Sequence, residues 1–135
     1  MNPTLRNILV VIAGLVIGSM ANMAIISLSS SVIAPPAGVD VTTIEGLTEG
    51  MHLFEPKHYI MPFLAHAIGT LVGAFIVARF AVRRQVSLAI FVGVFFLIGG
   101  IVNVYLLPSP TWFAVVDLVL AYIPMAYIGA RLGKR

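Results

Sequence analysis

Four apolar runs divide the chain, at about residues 8–30, 59–80, 86–107 and 112–130, and almost all charged positions lie between or outside them. Each run is close to the ~20 residues that a helix needs to cross a ~30 Å hydrocarbon layer. Arg83 and Arg84 mark a tight basic turn between the second and third runs, and Pro108 and Pro110 a short turn between the third and fourth. The only long polar connection, residues 34–58, opens with Pro35, Pro36 and Gly38, which oppose helix continuation. Within it Thr42 and Glu45 fit a capping box, and Ile44, Leu47, Met51 and Phe54 follow helical spacing. This predicts a short amphipathic helix on the membrane surface, stopped by Pro56. The pattern therefore predicts an all-α membrane four-helix bundle in one domain, residues 1–135.

Composition agrees. Sixty per cent of residues are hydrophobic and 10% charged, with a mean hydropathy of +1.07, far from the soluble balance in which about a quarter are charged. A cleaved signal peptide is the alternative for the first run, with Val32 and Ala34 as a loose cleavage pattern. That run exceeds a signal h-region of roughly 7–15 residues, and Pro35 would follow the cut directly, so an uncleaved span is expected. The absence of cysteine excludes disulfides, thiolate metal sites and cysteine nucleophiles.

The net charge of +3 does not form a nucleic-acid patch, because the basic residues flank the apolar runs. Arg6, Arg79, Arg83, Arg84, Arg131, Lys134 and Arg135 fall on one side. The other side carries Lys57 with Asp40, Glu45, Glu49 and Glu55. The positive-inside rule then places both termini in the cytoplasm and the chain in the cell (inner) membrane as a multi-pass protein. Tyr59 and Trp112 fit an outer aromatic belt.

The two halves also show an internal echo. Ile17–Asn22 reads IGSMAN and Ile98–Asn103 reads IGGIVN, while Ala78-Arg79 and Ala130-Arg131 end the second and fourth runs alike. Such a match predicts two helical hairpins of the same orientation, related by a pseudo-two-fold axis along the membrane normal.

Each run holds one conspicuous polar residue: Asn22, His66, Asn103 and Asp117. At 1.5 Å rise, Asn22 and Asn103 stand roughly 24–28 Å above the inner boundary, and His66 and Asp117 roughly 8–11 Å below the outer one. All four thus fall in one layer of the outer third of the membrane. Ionisable groups in hydrocarbon are costly, so Asp117 and His66 are expected to face the bundle and meet, with the two amides completing an outer-facing ligand or ion pocket. The structural alternative is that these groups only join helices. Gly14, Gly18, Gly69, Gly73, Gly99 and Gly100 share helix faces with the polar residues and are read as packing positions. Pro124 frees the carbonyl of Leu120 one turn below Asp117, either as a kink lining a cavity or as a tolerated bend.

A rival site is the loop set Glu49, His52, Glu55 and His58, two E-x-x-H patterns of the kind that ligate metals when separate helices bring them together. Here they are adjacent, and a solvated polar face explains them equally well. Phosphate-loop, nucleophile-elbow, H-E-x-x-H and dinucleotide signatures are absent, and no cofactor is implied.

The stretch GLTEGMHLFEPKHYIMPFLAHAIGTLVGAFIVARF, with the later PSPTWF, resembles small, functionally uncharacterised bacterial four-span integral membrane proteins of similar length. The resemblance covers most of the chain and implies no activity, ligand or site residue. The preferred expectation is a membrane module that binds or passes a small solute, ion or proton. An accessory subunit of a membrane complex is the first alternative, and a membrane enzyme using His66 and Asp117, or a loop metal site, the second. The expected partners are the lipid bilayer and either a second copy or a membrane subunit.

Overall fold

The computed structural model describes all 135 residues and contains only helices and connections. Helix α1 (Pro3–Val32) is capped by Asn2, whose side chain accepts from the Thr4 N–H at 2.8 Å. The outer connection contains α2 (Ile44–Gly50) and two 3₁₀ turns, Met51–Leu53 and Pro56–Tyr59. Helices α3 (Ile60–Phe80) and α4 (Gln85–Leu106) follow, and the last span is divided into α5 (Thr111–Leu120) and α6 (Ile123–Gly133). Four segments are long and apolar enough to cross a membrane: Pro3–Val32, Pro56–Phe80, Gln85–Leu106 and Thr111–Gly133.

The spans hold together through close approach, as expected where lipid tails are as apolar as leucine and burial alone gives no drive between helices. A Cβ added at Gly14 would stand 2.8 Å from the Gly73 carbonyl oxygen, and one at Gly73 would meet the Gly14 oxygen at the same distance. One turn higher, Gly18 and Gly69 repeat the exchange at 2.7 and 2.9 Å. These contacts fix α1 antiparallel to α3. On another face of α3, Gly129 and Gly133 of α6 approach the Leu71 and Phe75 carbonyls, both at 2.5 Å for an added Cβ, so α6 runs parallel to α3. Gly100 packs on Tyr122. Gly99 is a correction to the expected packing set: it is exposed and an added Cβ would meet nothing within 4 Å. The face that α4 turns inward carries Gly93 and Gly100, and Gly99 lies to its side.

The inner half is sealed by small and branched side chains. Ala74, Val77, Ala78, Ala89, Val92 and Ala126 are fully buried there. At the basic end, the Asn7 side chain clamps the turn between α3 and α4, donating to the Arg83 carbonyl at 3.2 Å and accepting from the Val82 N–H at 2.9 Å. Arg6, expected only as a topology signal, also donates from Nε to the Phe80 carbonyl at 3.2 Å.

The packing of the two halves differs. α3 lies at the centre, against α1, α4 and α6, whereas α1 has at most marginal contact with the last span. A two-fold relation would make that contact equivalent to the one between α4 and α3, which is extensive. The hairpins therefore share a direction without sharing a packing arrangement.

The outer helix forms, but its cap and its partner differ from those expected. Thr43, not Thr42, is the cap, its hydroxyl accepting from the Gly46 N–H at 2.9 Å. Thr42 is engaged elsewhere, donating to Asp40 Oδ1 from both its backbone N–H and its hydroxyl. Those bonds hold the Asp40 carboxyl below the ordinary carboxylate range. Their contribution is present above the ordinary Asp value and fades as the pH falls through the depressed one. The apolar side of α2 packs on the bundle: Leu47 and Phe54 lie against buried Met51, Tyr59 and Phe113. The segment is thus a cover on the outer end of the helices. Thr43→Ala should weaken it by about 1 kcal/mol, the usual loss for an N-cap, while Thr42→Ala should leave the cap in place. Hydrogen exchange of residues 44–50 distinguishes the two, and equal protection in both variants would contradict the assignment.

Candidate functional site

The site is built around the break in the last span. Pro124 cannot donate to the carbonyl of Leu120, and Tyr122 leaves helical geometry at φ −113, ψ −78. In a regular helix, residues five apart are separated by about 140° around the axis, so Tyr122 and Asp117 would face different neighbours. The break turns them together. The Tyr122 hydroxyl donates to Asp117 Oδ2 at 3.3 Å, and its ring lies 5.8 Å from that of His66, nearly parallel.

His66 Nδ1 lies 2.8 Å from Asp117 Oδ1, so the expected meeting of these two residues is present in the structure. With the carboxylate accepting, the proton sits on Nδ1 and, in the neutral ring, Nε2 carries a lone pair. Asp117 is only 5% exposed and receives a donor on each oxygen. That is the arrangement an acid needs when removed from water. The helix backbone carrying His66 is braced by Thr70, whose buried hydroxyl donates to the His66 carbonyl at 2.8 Å.

Asn22, His66, Asn103 and Asp117 all line one cavity of about 540 Å³. It rises from the acid–imidazole pair to the outer cover, with Leu47, Met51 and Phe54 among its upper walls. The two amides do not bond to the pair. Asn22 Oδ1 is buried with no hydrogen-bond partner, a cost of roughly 1–3 kcal/mol unless something supplies a donor. Asn103 is exposed at the cavity's side. A second lobe of about 420 Å³ shares Asn22, His66, Gly100 and Asn103 with the first and reaches down to Gly18, Thr70 and Tyr122.

The loop set does not assemble. No three His, Asp or Glu side chains come together where they could hold a metal ion. Glu49 belongs to α2, His52 to the following 3₁₀ turn, and Pro56 starts a new turn before His58. His58 Nδ1 accepts from the Glu55 N–H at 2.8 Å, and the Glu55 carboxylate lies 3.5 Å from Lys57 Nζ on the surface. These contacts cap and solvate the loop, which corrects the metal-site expectation.

Tyr122 and Thr70 were not singled out from the sequence. Thr70 stands four residues after His66, the spacing that returns a hydroxyl to the preceding turn, and so was open to detection. Tyr122 was concealed because Pro124 marks where the helix can bend but not which side chains the bend turns together.

Fold and site together define a multi-pass helical membrane protein with a buried acid–imidazole–phenol cluster beneath an outer cavity. No protein-family model, curated protein or solved structure matches this chain.

Proposed function

We propose that the protein lies in the cell (inner) membrane with both termini cytoplasmic and holds a small ligand, a solute, ion or proton, in its outer cavity. The unpartnered Asn22 Oδ1 beside the His66–Asp117 pair carries this reading, because a buried acceptor left open is expensive unless a ligand or water completes it. Binding is favoured over open passage by the packing of the inner half, where Val77 and Val92 are fully buried and the glycine contacts bring the helix backbones together. Passage from one side to the other would require α1 or α6 to part from α3.

Native mass spectrometry after gentle detergent extraction tests the reading. The wild type should retain a small adduct that Asn22→Leu loses at unchanged stability. A wild type that remains bare in every mild detergent tried would count against it. The accessory-subunit reading has its own support in the full satisfaction of Asp117 by two protein donors, and a co-purifying membrane subunit in the same spectra would favour it.

Orientation rests on the seven basic residues at the end formed by the α1 start, the α3–α4 turn and the chain terminus. Reporter fusions after Arg84 and Arg135 should read cytoplasmic, and one at Gly46 external. A cytoplasmic reading at Gly46 would invert the topology.

A further inference from the structure

The route into the cavity follows from which helices fail to touch. α1 and α4 both wall the cavity, but their direct contact is brief, near Gly18, where Phe96 Cε2 lies 3.1 Å from the position of an added Cβ. Towards the outer side the lower lobe continues between them, walled by Ser19 and Asn22 from α1 and by Gly99, Val102 and Asn103 from α4. Ser19, Gly99, Val102 and Asn103 are all exposed, so the gap opens sideways at the depth of the polar cluster. Its walls carry exposed apolar side chains from both helices: Met23 is 57% and Val102 48% exposed. The outer end, by contrast, is covered by the α2 segment.

The head group that fits is set by the atoms left over. Asn22 Oδ1 is an acceptor with no partner, and His66 Nε2, in the tautomer that donates from Nδ1, is a second acceptor without a protein donor. Resting on the pocket reading above, the geometry points to a ligand that enters from the bilayer between α1 and α4. It is an amphiphile whose head group carries O–H or N–H donors and whose chain stays against the exposed apolar side chains of the walls. The head reaches Asn22 and His66, while Gly99 leaves the width through which it passes. Gly99 has no packing neighbour, so its lack of a side chain serves the opening and not the bundle.

Photolabelling of the detergent-free protein in vesicles tests this with three diazirine probes. These are a sixteen-carbon alcohol, its methyl ether, and a short water-soluble alcohol. The long alcohol should label residues around Asn22 and Asn103, and the ether, which lacks the donor, about tenfold less, the factor that one lost hydrogen bond allows. Gly99→Phe should cut labelling by the long alcohol by about tenfold with unchanged thermal stability, because it narrows the gap without entering the core. Equal labelling of wild type and Gly99→Phe overturns entry from the bilayer, and equal labelling by alcohol and ether overturns the donor assignment. If only the short alcohol labels the site, the ligand arrives from water, so this inference fails while the pocket reading stands. If no probe labels it, both fail.

Discussion

Gly18→Leu is expected to prevent the bundle from assembling. Its first added carbon would stand 2.7 Å from the Gly69 carbonyl oxygen and 3.2 Å from Gly73 Cα, both backbone atoms that cannot rotate away. Overpacking ordinarily costs about 1–3 kcal/mol through shifted side chains; moving α1 off α3 would reach or exceed the upper end. Gly18→Ala should show a smaller loss and Gly99→Leu almost none. Thermal unfolding in detergent, followed by size-exclusion profiles, reads the series. A Gly18→Leu protein as stable as the Gly99→Leu protein would mean that α1 is not held by this contact.

Substitution of Asp117 should separate structural from functional roles. Asp117→Leu removes both acceptors and leaves the His66 N–H and the Tyr122 hydroxyl buried without partners, at roughly 1–3 kcal/mol each. The bundle should lose most of its thermal stability. Asp117→Asn should fold, because the amide can still be satisfied. Its oxygen accepts from Tyr122 while its NH₂ donates to His66 Nδ1, provided the imidazole proton moves to Nε2. That move converts the cavity-facing nitrogen from acceptor to donor. The variant should therefore keep its fold and lose the retained ligand. Nitrogen-15 shifts of the His66 ring report the tautomer directly. An unchanged tautomer would dismiss the mechanism, and a retained adduct at equal occupancy would leave the pair as structural support only.

Much of this architecture was legible in the linear pattern, for reasons that do not depend on packing. A hydrocarbon layer accepts backbone only when its polar groups are satisfied within the segment, so apolar runs of this length specify helices whatever their neighbours. The observed spans differ from the expected ones mainly at their ends, as when α1 starts at Pro3 rather than near Ile8. Depth is similarly additive along a helix, and for that reason His66 and Asp117, 51 positions apart, could be placed at one level and are found bonded.

Rotation about each helix is not additive in this way, and there the sequence alone was insufficient. Gly99 and Gly100 are adjacent and chemically identical, yet one meets Tyr122 and the other open space, a difference set by how α4 is turned against α6. Tyr122 joined the site only because the chain breaks beside it, and the helix cap fell to Thr43 because Thr42 is held in the preceding turn by its bonds to Asp40. The sequence by itself thus determined the number of spans, their alternating direction and the depth of the polar layer. The tertiary structure alone decided which faces meet, that α1 touches α4 only briefly near Gly18, and that Asn22 is left holding an acceptor without a donor. Those outcomes depend on contacts between side chains distant in sequence, and no local periodicity encodes them.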